Sequence, residues 1–397
     1  MKTKYFHYVI LGLAIMILAA CGQTSTRTQS PVEITLTQES IIFATEYALG
    51  PEDRFNTNVA KDLRITPSPT PTPTPLPTIT PAMPKSVQSI CLNVEQTFGE
   101  FDGPYLPIKD IAARILKNSH YSFMEIGENC DATLDIQLIL WPLSENYSGN
   151  TCYTGAKATG SATLILPGKT PQKVELLQES PPITGILVIL TTCPTPSQAP
   201  FTTPADRAVL QALTELIGPQ ILNTAIKDED EEIRKWAIWT LYEYNLHHNF
   251  LIPKSLLLEA LDDPSSDVRI YAVLVLGWMG EEADFAFDRL VSMLNDPSTE
   301  VRGFAIDSLE KIRPNDPSLI DPYRTALKDS DSFVYQRALT GLCGMGSIDL
   351  DTVPDLLSFY ETHPNEEFYV RDCLSDITGQ DPGDDPTAWR TWWEQRQ

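Results

Sequence analysis

Seven cysteines and five histidines are the residues of this 397-residue chain best suited to attack, ligate or cross-link. A metal site needs them clustered. No CxxC occurs, and His7, His120, His247, His248 and His363 are scattered, so no metal and no cofactor is expected. Four cysteines, Cys91, Cys130, Cys152 and Cys193, fall within about a hundred residues, while Cys343 and Cys373 lie far downstream. Such a group allows three disulfide connectivities, of which Cys152–Cys193 with Cys91–Cys130 is favoured. The stretch "PGKTP" at 167–171 invites a phosphate-loop reading. It fails, because Thr163 stands where the loop's first glycine belongs and Pro171 follows in place of a helix. No nucleophile elbow, paired-histidine zinc motif or acid pair in a recognisable frame appears, so no catalytic residue is expected and the chain reads as a non-enzyme.

The seventh cysteine stands apart. In "ILAACGQTSTRTQS" an apolar run stops at Cys21 and passes at once into Gly, Gln, Ser and Thr. Lys2 and Lys4 precede the run Val9–Ala20, which is short for about 30 Å of hydrocarbon, so the segment has the form of an export signal. Leu18, Ala19, Ala20 and Cys21 together resemble the lipobox of bacterial lipoproteins. That resemblance implies a diacylglyceryl group on the Cys21 thiol, cleavage just before it, and a protein held by lipid at the outer face of the cell membrane. The disulfide expectation suits such an oxidising location.

Charge narrows the partners. The formal net charge is −24, and from Pro200 onward 36 acids face 16 bases. Nucleic acid and anionic bilayer surfaces both demand clustered Lys and Arg, so no nucleic-acid partner is expected, and membrane attachment falls to the lipid on Cys21. The acidic half favours basic or neutral partners.

The elements that must position these residues follow from periodicity. In "TPSPTPTPTPLPTITPAMP", Thr66–Pro84, alternating proline removes backbone donors and fixes φ, giving a stiff extended spacer of about 3.1 Å per residue. "SICLNVEQTF", "ATLDIQLILWPL" and "GSATLILPG" alternate as half-buried strands, while "IKDIAARILKNS" sets Ile108, Ile111, Ala112 and Ile115 on one helical face. The order predicts a small antiparallel or mixed sheet packed by one helix.

Beyond Pro200 the chain repeats itself. Asp263, Asp296 and Asp329 recur every 33 residues, as do Val268, Val301 and Val334, and Ala272, Ala305 and Ala338. An earlier copy carries Asp228, Ile233 and Ala237 in the same frame, and a worn fifth carries Val370 and Arg371. Apolar positions at i, i+4 and i+8 within a period of this length mean stacked helix pairs, with alanine permitting close approach. These copies resemble HEAT-like repeats of the phycobilisome-lyase type, whose acidic turn and Val-Arg step appear at Val268-Arg269, Val301-Arg302 and Val370-Arg371; Tyr335 departs from it. The Trp-rich end, Ile377–Gln395, resembles the terminal segment that follows such repeats and is expected to cap them. The resemblance spans Pro204–Gln397 and implies fold, with Asp263, Arg269, Asp296 and Arg302 as scaffold; the lyase activity does not transfer.

Trp239 and Leu274 sit six residues after the first apolar residue of their frames, turned outward yet apolar, with Ile270 and Trp278 near them. They are the candidate partner-binding residues. The chain thus divides into a lipoprotein signal and lipobox (1–21), a Pro/Thr-rich spacer (22–86), a disulfide-containing α/β domain (87–200) and an all-α HEAT-like solenoid with a Trp-rich cap (201–397). The expected function is a lipid-anchored extracytoplasmic scaffold that binds another protein. The rival is an enzyme or envelope-assembly subunit with its site in 87–200.

Overall fold

The computed structural model describes residues 83–84, 86–99, 103–119, 121–124, 129–147, 150–180, 202–248, 250–345, 350–363 and 366–396. All belong to one compact unit, Pro67–Gln397. Cys21, the signal segment, most of the spacer and Cys193 lie outside the described residues, as does the side chain of Cys152, so the Cys152–Cys193 pairing does too.

Five strands form the sheet: β1 (Ser89–Phe98), β2 (Ser122–Met124), β3 (Ala132–Tyr147), β4 (Asn150–Ile165) and β5 (Gln172–Glu179), in the spatial order β2-β1-β3-β4-β5. β1 runs parallel to β2 and β3, whereas β3, β4 and β5 form an antiparallel meander, so the sheet is mixed. "PGKTP" is the β4–β5 turn. Lys169 N donates to Leu166 O, with Pro167 and then Gly168 at φ 69° between them, the pattern of a type II turn that only a residue free to take positive φ fills cheaply. Cys91 and Cys130 are joined, tying β1 to the entry of β3.

Alternation sends Leu134, Ile136, Leu138 and Leu140 of β3 and Ala156, Ala158 and Ala162 of β4 to one fully buried face. Helix α1 (Ile108–Asn118) covers part of it through Ile108, Ile111, Ala112 and Ile115. A second helix, α2 (Thr202–Ile217), completes the cover by packing on β4 and β5, where the small β4 alanines admit a close approach. One helix was expected. The second comes from beyond residue 200, because Ala205, Ala208, Val209 and Ala212 make α2 apolar nearly all round, so it is buried between the sheet and the array.

From α2 onward, short and long helices alternate: α3 (Leu222–Ala225), α4 (Glu231–His248), α5 (Lys254–Ala260), α6 (Ser266–Met279), α7 (Phe287–Met293), α8 (Thr299–Ile312), α9 (Ile320–Ala326), α10 (Ser332–Gly344), α11 (Val353–Thr362), α12 (Glu367–Thr378) and the terminal α13 (Pro386–Glu394). Helices α2, α4, α6, α8, α10 and α12 pack in sequence as one row, an α-solenoid. The frame residues lie inside: Val268, Ala272, Leu276 and their equivalents Val301, Ala305 and Leu309 are fully buried. Burial of each such Val or Leu contributes about 1.5–3 kcal/mol. At Gly277 an added Cβ would stand 2.4 Å from Ser308 Oγ, so α6 and α8 touch too closely there for any side chain. Cys343 of α10 is joined to Cys373 of α12.

The turn aspartates and step arginines form a ladder. Arg234 holds Asp263 through Nε and Nη2 at 2.7 and 2.8 Å, Arg269 holds Asp296 at 2.8 and 2.7 Å, and Arg302 holds Asp329 at 2.7 and 2.9 Å. Each arginine also donates Nη1 to the carbonyl of its own repeat's aspartate. Each aspartate in turn accepts the amide two residues on, as Asp263 does from Ser265, so one carboxylate closes its own turn and grips the repeat before. Where Tyr335 replaces the arginine, its ring packs on Phe359 and His363, and Gln336 Nε2 reaches Glu366 Oε1 at 2.7 Å. The first aspartate, Asp228, receives its fork from Arg114 of α1, at 2.9 and 2.8 Å. The α/β domain therefore stands where a preceding repeat would.

Candidate protein-binding surface

Aromatic residues recur at one frame position of successive row helices, as Trp236, Tyr271 and Phe304. Three residues on from the first apolar residue, they turn to the edge of the buried stripe, where side chains of neighbouring helices meet. Trp236 and Tyr271 pack edge to face with centroids 5.2 Å apart. Trp239 and Trp278 meet at 5.1 Å in the same way, and Tyr242 stacks on Trp278 at 5.7 Å. Burial pushes the Tyr242 hydroxyl above the usual tyrosine range.

Cations sit over these rings. The Arg207 guanidinium lies 5.3 Å from the Trp236 centroid and 5.9 Å from that of Trp239, while donating Nη1 to Glu179 O and Nη2 to Glu243 Oε1. Lys235 Nζ lies 4.9 Å from the Trp236 centroid and bonds Glu232 Oε1, which shares its carboxylate with Trp236 Nε1. Each cation is thus held between a ring and an acid. The arrangement makes a rigid amphipathic patch; it lacks a nucleophile beside a base.

Trp239, Ile270, Leu274 and Trp278 are all half-buried, so the outward turn read from the frame is partial. The structure brings Trp239 against Trp278, and Leu274 lies on the same face of α6, three residues after Tyr271 and four before Trp278. Ile270 leans on the core. Sequence reasoning missed Arg207, Lys235, Tyr242 and Tyr271, although the recurrence of Trp236, Tyr271 and Phe304 at one position was a usable signal. Among the described residues no group of three or more His, Cys, Asp or Glu is placed to hold a metal ion, and no helix is long and apolar enough to cross a membrane.

A family model described as "Required for nuclear transport of RNA pol II C-terminus 1" matches residues 287–373, less than a quarter of the chain. No curated protein matches. A designed armadillo repeat protein in complex with the peptide (KR)4 is 22% identical, covering 43% of this chain and 86% of its own, with a TM-score of 0.31. A computationally designed armadillo repeat protein for modular peptide recognition is 22% identical over 43% of this chain and 86% of its own, with a TM-score of 0.34. The Escherichia coli protein YibA is 16% identical over 49% of this chain and 74% of its own, with a TM-score of 0.31.

Proposed function

We propose that the protein is a lipid-anchored, extracytoplasmic scaffold that acts by binding another protein and not by catalysis. The observation that carries the reading is the half-buried aromatic patch of α4 and α6, rigidly packed and rimmed by paired charges, the composition of a binding hot spot. The lipobox at Leu18–Cys21 supports the anchor, and the Pro-rich spacer supports a folded part held away from the bilayer. Acidity from Pro200 onward favours a neutral or basic partner.

The test places a photo-crosslinking residue at Leu274, or at the exposed Asp288 of α7 as a control, in the membrane-held protein of intact cells. A discrete protein adduct from position 274, absent at 288 and lost on Trp278→Ala, is expected, and Cys21→Ser should release the protein from membranes. Equal adducts from both positions, or membrane partition unchanged by Cys21→Ser, would overturn the reading.

A further inference from the structure

Among the described residues, β1 is paired along its whole length on the β3 side but only at one end on the other. β2 covers only Ser89–Cys91, and among the described residues no strand lies along the rest of that edge. Gly99 N donates to Leu140 O, so Gly99 faces β3, and alternation turns the backbone N–H and C=O of Leu92, Val94 and Gln96 toward the open side. A row of backbone groups so placed is a template for another strand.

A groove follows this edge. It encloses about 550 Å³ between Val94–Thr97 and the segment Tyr105–Lys109, which includes Leu106 and Ile108. Tyr105 at its mouth is 76% exposed. Gln96 braces the wall by donating Nε2 to Leu106 O at 3.1 Å, while its Oε1 is shut from solvent and accepts no hydrogen bond. On the open face a second cleft of about 430 Å³ shares Glu95 and Thr97 with the groove and extends to Gln137, Ser161 and Glu175. A strand laid along β1 would send alternate side chains to two environments: toward Val94, Leu106 and Ile108 with Lys109, and toward Glu95.

We infer that the β1 edge binds an extended segment of a partner protein by strand addition, with apolar side chains facing α1 alternating with cationic ones facing Glu95. Backbone pairing supplies affinity and the two-sided groove supplies selection. Charge decides between occupants. A second copy would bring another net −24 to the contact, and the proline-rich Thr66–Pro84 segment of this chain carries no lysine or arginine to face Glu95.

The probe is a synthetic peptide of alternating lysine and valine, offered to the folded protein while amide exchange is followed at Val94 and Gln96. Slowing at those amides of about tenfold or more at saturation is expected, with methylation of alternate peptide nitrogens abolishing it. Glu95→Lys should weaken the lysine peptide about tenfold and strengthen a glutamate–valine peptide, because like charges then face each other. Binding that leaves Val94 and Gln96 unprotected, or equal binding of the lysine and glutamate peptides, would overturn the inference. Protection of the same amides without peptide, together with a dimer in sedimentation, would overturn it in favour of a second copy.

Discussion

The two ends of the array are closed by opposite halves of one interaction. Because each arginine reaches the aspartate of the following repeat, the first repeat lacks an incoming arginine and the last lacks an aspartate to grip. At the first end the sheet domain supplies Arg114, and its partner Asp228 is almost wholly buried, with 1% of its side chain exposed. At the last end the terminal segment supplies Asp384 to Arg371, but the Asp384 side chain is 77% exposed. An exposed pair contributes little, whereas breaking a buried one strands a charge. The array is therefore locked to the sheet by a buried ion pair and packing together, and to its C-terminal cap by packing with only exposed or half-exposed ion pairs, Arg371–Asp384 and Arg390–Glu361. Fully buried Trp389 is the side chain that does so, with Tyr360 donating to Asp384 O at 2.6 Å.

This contrast can be broken at its C-terminal end first. Trp389→Ala should cost about 3–5 kcal/mol and loosen α11–α13 while leaving the sheet's amide exchange unchanged, since repeats touch only their neighbours. Asp384→Ala should leave the midpoint of chemical unfolding where it was. If Asp384→Ala proved as damaging as Trp389→Ala, the packing account of this end would fail.

A pH-dependent effect sharpens the other end. Asp206 of α2 is buried where the sheet domain meets the array, and desolvation, then the charges of Asp230 and Glu232, push its carboxyl up to about 7 against the opposing pull of Lys235 and Arg114. The folded state thus keeps a proton that the unfolded chain has lost between roughly pH 4 and pH 7. Stability contributed by neutral Asp206 is complete below that window and lost as pH rises through it, by about 1.4 kcal/mol per unit. Asp206→Asn should flatten this slope in thermal unfolding followed from pH 4 to 8; an unchanged slope would place the titration elsewhere.

Much of the array was legible because its signals are local. Val268, Ala272 and Leu276 report one helix face, and their return after 33 residues reports stacking. Asp296 and Arg269 were readable as scaffold for the same reason. Arg114 was not, since 114 residues separate it from Asp228 and nothing in "IKDIAARILKNS" marks an arginine for a distant turn. The role of α2 stayed hidden because a helix buried on two sides has no single stripe to point at its neighbours. Cys343 and Cys373 lie 30 residues apart, close to one repeat length, a spacing that was available and went unread. The aromatic patch was half visible: Trp239 and Leu274 could be named from period, but Arg207, the cation over the Trp239 ring, comes from α2, and Lys235 lies over Trp236 and Tyr271.

The central claim, that the sheet domain fills the place of a preceding repeat, is tested most directly by paired double-mutant cycles. Unfolding free energies would be measured for Arg114→Ala, Asp228→Ala and their combination, beside Arg269→Ala, Asp296→Ala and theirs. The account predicts coupling of about 1.5–3 kcal/mol in both cycles, because the same forked geometry joins both pairs. Coupling near zero for Arg114 and Asp228, alongside full coupling for Arg269 and Asp296, would contradict it.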